Sequence, residues 1–158
     1  MEKIRIICVG KLKEPFYLQA QEEYRKRLSR SCQLEILELP EQRLPEDPSP
    51  AQIQKALAAE AEAILPRIAG HCIALCIEGK PCASEVLSQR MQELAALGQS
   101  PFTFLIGGSV GLAETVKARA DWKLSLSPMT FPHHLARVML LEQIYRSYQI
   151  RLGSRYHK

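Results

Sequence analysis

The sequence has no apolar run long enough to cross a membrane. Its N-terminal run from Ile4 to Val9 is short, and it lacks the long apolar core and the small-residue cleavage site of a signal peptide. Internal repeats and low-complexity segments are also missing. On these absences we predict a cytoplasmic protein without membrane association, built as one domain over residues 1–158.

The five cysteines include no CxxC pair. Cys72 and Cys76 lie within an apolar run, and His71 is the one histidine beside them. A zinc site needs paired short spacings and several nearby ligands, so we predict no metal here. Cys72 and Cys76 are instead interpreted as small hydrophobic residues of the core.

The segment "IGGSVG" (106–111) lacks both the GxGxxG spacing of dinucleotide-binding folds and the lysine of a P-loop. Gly107, Gly108 and Gly111 directly follow an apolar run that reads as a buried strand. Glycines in that position let the backbone approach a ligand closely. The residues alone leave two interpretations open, a nucleotide pocket and a plain tight turn.

Acidic side chains are scarce in the last quarter of the chain. Residues 117–158 carry 8 basic and 2 acidic side chains, whereas residues 1–116 carry 13 basic and 15 acidic ones. Such an uneven distribution favours an anionic partner for the C-terminal part, and nucleic acid is the natural choice. The alternative is a solvated basic tail.

Apolar periodicity predicts an alternation of strands and helices. The predicted strands cover 4–9, 34–39, 72–77, 102–108 and 122–126, and the predicted helices cover 15–30, 51–68, 84–97, 113–119 and 132–149. The run 72–77 is apolar throughout, which is typical of a central strand covered on both faces. This order predicts an α/β domain with a parallel sheet covered by helices, in which ligands bind at the carboxyl ends of the strands.

The segment "SLSPMTFPHH" (125–134) combines hydroxyl groups with two prolines that stiffen the backbone. A stiff loop with free backbone amides and carbonyls suits a small planar ligand held by its edges. The alternative is an ordinary helix entry, with Ser127 or Thr130 as the cap.

The helix predicted after this loop is apolar on most sides, with Leu135, Val138, Met139, Leu140, Leu141 and Ile144. It belongs in a core or in the interface of a homodimer, and the small size of the chain favours the homodimer. Glu142 and Arg146 are four residues apart, which by itself predicts only a surface ion pair.

The strings "FTFLIGGSVGL" (102–112) and "LSLSPMTFPHHLARVMLLEQIYRSYQI" (124–150), with the terminal "YHK", closely resemble the ribosomal RNA large-subunit methyltransferase H family of the SPOUT superfamily. The match also includes "VGKLKEPFY" (9–17) and "EGK" (78–80), so it extends over essentially the whole chain. The resemblance implies a C-terminal trefoil knot, which general rules of topology would have excluded.

The resemblance further implies a homodimer that uses S-adenosyl-L-methionine to methylate N3 of a pseudouridine in 23S rRNA of the large subunit on the assembled ribosome. The cofactor-binding residues that it implies are Leu75, Gly107, Leu126, Ser127, Pro128, Met129, Thr130 and Phe131. Pro128 is a departure, because relatives that read "SKMTF" have lysine there.

Methylation of N3 requires a group that takes its proton and a group that stabilises the negative charge that develops. The candidate catalytic residues are His157, Tyr156, Arg146, Glu142 and His133. An aromatic residue and a histidine in the terminal "SRYHK" suit a base flipped out of its helix. A non-catalytic ribosome-binding factor and an α/β enzyme with a different nucleotide are the two rival functions.

Overall fold

A five-stranded parallel sheet with helices on both faces organises the computed structural model, which describes residues 1–158. The strands are β1 (Glu2–Val9), β2 (Cys32–Leu39), β3 (His71–Pro81), β4 (Phe102–Ile106) and β5 (Trp122–Ser125), in the order β2-β1-β4-β3-β5. The helices are α1 (Pro15–Leu28), α2 (Pro50–Ile64), α3 (Ser84–Ala96), α4 (Glu114–Arg119) and α5 (His133–Arg151). The predicted α/β fold is confirmed.

Two apolar layers cover the two faces of the sheet, because side chains alternate along each strand. In β1, Ile4, Ile6 and Cys8 join the layer that contains residues of α3 and α5, whereas Ile7 and Val9 join the layer that contains residues of α2 and α4. No helix of the chain combines the length and the hydropathy that a membrane span requires.

Helix α5 begins at the carboxyl end of the sheet without a side-chain cap. The alternative in which Ser127 or Thr130 caps this helix is therefore wrong. The Ser127 hydroxyl instead accepts a hydrogen bond from the Met129 amide at 3.0 Å, inside the loop. Rigidity in this loop thus comes from its own turn and from Pro132, the residue at the N-cap position.

Arg137 ties α5 to the ends of the two strands on the far side of the sheet. Its side chain is 1% exposed and donates to Glu38 at 2.7 Å, to Gln21 at 3.1 Å and to the carbonyl of Gly10 at 3.2 Å. The chain therefore leaves β5 at one edge, passes the carboxyl ends of β3 and β4, and starts α5 beside β1. The trefoil knot stays a prediction.

Strand β3 departs from the expectation of a strand covered along its whole length. Only its first four residues, His71 to Ala74, are buried. Its register with β5 then shifts between Leu75 and Lys80, so residues 76–79 bulge out of the ladder. A Cβ atom on Gly79 would lie 2.8 Å from backbone atoms of β5, which makes glycine necessary where the bulge returns to the sheet.

Candidate active site

A cleft opens where β3, β4 and β5 end, which is the expected ligand position in an α/β sheet. Three segments form it, namely the end of β3 with its bulge, the glycine turn after β4 and the loop after β5. Its lining residues are Leu75, Cys76, Ile77, Ile106, Gly107, Gly108, Gly111, Ser125, Leu126, Ser127, Met129, Thr130, Phe131, His133 and Ala136.

The cleft brings together almost all of the residues implied to bind the cofactor. Leu75, Gly107, Leu126, Ser127, Met129, Thr130 and Phe131 all line it. Pro128 does not line the cleft, and it is exposed. The proline that departs from the "SKMTF" pattern therefore stands outside the wall that a ligand would touch.

The glycine turn after β4 needs glycine for two reasons, namely close backbone contact at Gly107 and a positive φ at Gly111. A Cβ atom on Gly107 would collide with the backbone of Gly111, and Gly111 itself has a φ of +83°. The Gly111 amide donates to the carbonyl of Gly108 at 3.1 Å. Outside the turn, Glu41 accepts hydrogen bonds from the amide and the hydroxyl of Ser109, at 3.0 and 2.8 Å. The turn is therefore a fixed floor for the cleft.

Backbone donors of the loop after β5 are free to bind a ligand. The amides of Leu126, Ser127, Thr130 and Phe131 donate to no other backbone group. Apolar side chains stand beside them, including Met129, which is 74% exposed. Free amides next to apolar walls fit a planar heterocycle, so the donor set present here suits the adenosyl part of S-adenosyl-L-methionine.

Cys76 and Ile77 also line the cleft, although neither was named as a binding residue from the sequence. The assignment of Cys76 to the core is wrong, because this residue is only partly buried. Both belong to the bulge of β3, and Ile77 is 56% exposed although it is apolar. The continuous apolar run indicated a buried strand and gave no signal of a register shift. The exposed isoleucine is explained by its place in the cleft.

A second cavity adjoins this cleft and shares Ser125 and Leu126 with it. Helices α1, α3 and α5 enclose this cavity. The remaining residues that line it are Tyr24, Cys82, Ala83, Ser84, Leu87, Leu124, Val138, Met139, Glu142 and Gln143. We call the cleft at the ends of β3, β4 and β5 the cofactor-type cleft. Glu142 is thus the candidate catalytic residue that lines the cavity next to it.

The C-terminal tail folds back onto Glu142. The Tyr156 hydroxyl donates to the Glu142 carboxylate at 2.9 Å, and the Tyr24 hydroxyl donates to it at 2.6 Å. Arg146 completes the set with two hydrogen bonds to Glu142, at 2.8 and 3.0 Å. The predicted pair of Glu142 and Arg146 is present, but it is the centre of a cluster rather than an isolated surface ion pair.

His157 extends this cluster to α3. An Arg146 nitrogen donates to His157 Nδ1 at 3.0 Å, and the arginine lies over the Tyr156 ring at 4.9 Å from its centroid. Because a guanidinium only donates, Nδ1 is the acceptor, and Nε2 carries its hydrogen toward Glu85. Four of the five candidate catalytic residues therefore meet in one place.

The protonation states of this cluster follow from its contacts. Burial by itself would raise the pKa of Glu142, but the hydrogen bonds from Tyr24, Tyr156 and Arg146 lower it below its ordinary value. Burial and the bond to Glu142 raise the pKa of Tyr156. Glu142 is thus a fully engaged carboxylate at neutral pH, which makes it an anchor for the tail and a poor proton acceptor.

We call the group formed by Tyr24, Glu85, Glu142, Arg146, Tyr156 and His157 the tail cluster. His133 is not part of it. It lines the cofactor-type cleft and its ring centroid is 4.2 Å from that of His134. Burial and the neighbouring His134 lower the pKa of His133, while Glu41 opposes them. A neutral imidazole therefore faces the cleft at physiological pH.

Sequence reasoning missed two members of the tail cluster, Tyr24 and Glu85. Tyr24 is 118 residues from its partner Glu142, and Glu85 is 72 residues from its partner His157. Neither residue lies in a motif, and each looks like an ordinary helix residue in the sequence. Only the packing of α1 and α3 against α5 reveals their contacts.

The fold and the cleft agree with comparisons to known proteins. The family model described as predicted SPOUT methyltransferase matches residues 2–157, so the chain belongs to this family of methyltransferases. Curated relatives have a more specific name, ribosomal RNA large subunit methyltransferase H. The relative from Leuconostoc mesenteroides is 45% identical over 157 residues, which is 98% of this chain and 99% of the relative. A relative from Clostridium perfringens is 46% identical with the same coverage.

Solved structures show the same fold at low sequence identity. A probable methyltransferase from Bordetella pertussis has a TM-score of 0.57 at 15% identity, covering 92% of this chain and 96% of that one. A probable methylase family protein from Haemophilus influenzae has a TM-score of 0.56 at 12% identity, covering 99% of this chain and 71% of that one. The family resemblance drawn from the sequence is confirmed.

Proposed function

We propose that this chain transfers a methyl group from S-adenosyl-L-methionine to N3 of a pseudouridine in 23S rRNA of the assembled ribosome. The observation that carries the proposal is the adjacency of two sites. A cleft with free backbone amides adjoins a cavity lined by Glu142, and the C-terminal tail is docked on the carboxylate of that residue. The name shared by curated relatives at 45–46% identity points to the same substrate class.

The cleft residues Leu75, Gly107, Leu126, Ser127, Met129, Thr130 and Phe131 hold the cofactor in this proposal. When bound, the cofactor supplies an electrophilic methyl group on a sulfonium. The loop amides bind the edge of the adenine, and the apolar side chains exclude water around it. Pro128 does not line the cleft, so its departure from "SKMTF" leaves the pocket intact.

The residues of the tail cluster handle the base. Nδ1 of His157 lies 3.0 Å from an Arg146 nitrogen, which can only donate, so Nδ1 is the acceptor of this contact. As N3 is methylated, its proton moves to Nδ1, and Glu85 stabilises the imidazolium that forms. Arg146, released from Nδ1, stabilises the negative charge on the neighbouring carbonyl oxygen of the base. Glu142 and Tyr156 position these groups.

A homodimer in the cytoplasm is part of the same proposal. Leu135 lies on α5 outside both the cleft and the cavity, yet it is only half-buried in the single chain. A second copy that covers this side of α5 would complete the burial that its sequence predicts. Two copies of the basic C-terminal part would also double the charge that attracts rRNA.

Calorimetry with three nucleotides tests the cofactor assignment. We expect the chain to bind S-adenosyl-L-methionine and not NAD or ATP. Gly107→Val should abolish the binding, whereas Pro128→Lys, outside the cleft wall, should leave it unchanged. Binding of NAD or ATP instead would support another α/β enzyme, and no binding at millimolar cofactor would support a non-catalytic ribosome-binding factor. A thermal melt of each variant controls for unfolding.

A further inference from the structure

A groove runs along the open edge of the sheet, beside β5. The end of β3, the helix α3 and the short strand β5 form its walls. Lys80, Arg90, Trp122 and Lys123 line the groove, together with Cys82 at one end. None of these residues takes part in the cofactor-type cleft or in the tail cluster.

The cations of the groove have no acidic partners. Lys80, Arg90 and Lys123 are exposed, and none of them forms a salt bridge or a side-chain hydrogen bond. The two carboxylates of the groove are already occupied. Glu78 pairs with Lys117, and Asp121 accepts a hydrogen bond from the Cys72 amide at 2.8 Å. The groove therefore presents three cations that form no ion pair, and its two carboxylates have other direct partners.

Arg90 is held in a defined orientation. Its guanidinium carbon lies 3.9 Å from the centroid of the Trp122 ring, and Trp122 is 7% exposed. The tryptophan thus covers one face of the guanidinium and leaves the other open to solvent. A guanidinium plane fixed in this way is a stacking surface for an unpaired base as well as a donor to phosphate.

The groove continues into the site described above. It shares Cys82 with the cavity next to Glu142, and that cavity shares Ser125 and Leu126 with the cofactor-type cleft. The paired residues of β3 and β5 lead in the same direction, from Lys123 in the groove to Leu124 and Ser125 in the cavity wall. A strand in the groove would therefore reach the reacting position.

We infer that this groove binds the single-stranded RNA that flanks the methylated nucleotide. Lys80 and Lys123 contact successive phosphates, and Arg90 stacks on a neighbouring base. The occupant follows from charge complementarity and from the stacking plane, because a purely electrostatic surface would not need Arg90 fixed on Trp122. This inference rests on the proposed function, since it takes the substrate to be RNA.

Binding to large ribosomal subunits, measured as a function of salt, tests the groove. The variant Lys80→Gln/Lys123→Gln should bind about tenfold more weakly. The negative slope of log affinity against log salt concentration should become shallower by about two, because two phosphate contacts are lost. The matched control is Lys3→Gln/Lys55→Gln, which removes two exposed, unpaired lysines from β1 and α2. Arg90→Lys keeps the charge but removes the stacking plane, so it should raise KM for subunits while kcat and cofactor binding stay unchanged.

Equal losses in the groove variant and in the control would overturn the inference, because general charge would then explain the binding. An unchanged KM in Arg90→Lys would overturn the stacking role. A different result would contradict the proposed function, namely that the parent chain, without any substitution, transfers no methyl group to ribosomes. The salt dependence of binding would still test the groove in that case.

Discussion

At the scale of the residue, Glu142 organises the cluster onto which the C-terminal tail folds. Three donors from α1, from α5 and from the C-terminal tail converge on one carboxylate. Their joint effect outweighs burial, so the pKa of Glu142 is lowered and the carboxylate stays ionised in neutral solution. The residue is suited to hold Tyr156 and Arg146 in place rather than to exchange a proton.

Glu142→Gln should lower the stability of the chain by about 2 kcal/mol at pH 7, because charged hydrogen bonds become neutral ones. A carboxyl whose pKa is lowered by folding stabilises the fold above its unfolded pKa of about 4.3. That contribution disappears as the pH falls through the lower folded value. Urea unfolding of the parent chain and of Glu142→Gln between pH 3 and 7 measures this effect. The difference in their free energies of unfolding should become smaller as the pH falls.

The control for this measurement is Glu62→Gln, because Glu62 is exposed and forms no salt bridge. It should change stability by less than about 0.5 kcal/mol at every pH. If the difference in free energy of unfolding between the parent chain and Glu142→Gln stays constant from pH 7 to pH 3, the account of Glu142 is contradicted.

Gly79 is a second residue on which the site depends. A Cβ atom there would lie 2.8 Å from the backbone of Lys123 and Leu124, so Gly79→Ala must push the bulge of β3 away from β5. We expect weaker cofactor binding in calorimetry, since Cys76 and Ile77 of the same bulge line the cleft. Gly98→Ala controls for a general loss of stability, because its φ of +75° strains alanine while the residue lies outside the cleft and nothing lies within 4 Å of its Cβ position. Equal cofactor affinities in the two variants would refute this role.

At the scale of the element, α5 is fixed to the sheet by one buried cation. Arg137 bridges the start of α5 to Glu38 at the end of β2 and to the carbonyl of Gly10 after β1. This contact fixes where the loop after β5 must end. The cleft, which that loop encloses, therefore depends on an ion pair on the opposite side of the sheet.

Arg137→Met should destabilise the chain by about 3 kcal/mol, because Glu38 loses its partner. Burial acts against the lowered pKa of Glu38, and Arg137 is the main group that maintains it. Adding Glu38→Gln to Arg137→Met should recover part of the loss, since the unpaired charge is then removed. Urea unfolding measures both variants. A loss below about 1 kcal/mol for Arg137→Met would show that the ion pair does not anchor α5.

The C-terminal tail is a functional element in this account. Deletion of residues 155–158 removes Tyr156 and His157 but leaves the cleft and the core intact. We expect methyl transfer to ribosomes to be lost, while calorimetric affinity for S-adenosyl-L-methionine stays unchanged. Deletion of Lys158 alone serves as the control, because Lys158 is exposed and makes no hydrogen bond or salt bridge. Full activity in the longer deletion would reject the role of the tail.

The sequence predicts the elements well and their connections less well. The apolar runs around Ile6 and Phe104 and the glycine turn after β4 are local signals, and local signals are what periodicity detects. The shift in register before Lys80 depends on the fit of β3 to β5, which no local pattern carries. For the same reason, Tyr24 and Glu85 could not be assigned before their helices were packed on α5.

At the scale of the whole molecule, three neighbouring spaces are linked by the residues that they share. The groove beside β5 leads into the cavity at Glu142, and this cavity opens into the cleft at the strand ends. The uneven charge of the chain matches this order, because Lys123 and Arg146 belong to the basic last quarter. In the proposed function, RNA reaches this region from the groove and the cofactor binds in the cleft.

The central claim is tested most directly by methyl transfer to ribosomes that lack the modification. The chain is incubated with labelled S-adenosyl-L-methionine and either assembled ribosomes or free 23S rRNA, and the rRNA nucleosides are then analysed by mass spectrometry. We predict one added methyl group on N3 of a pseudouridine, with assembled ribosomes as the preferred substrate. Cofactor binding without any methylated nucleoside in either substrate would contradict the account.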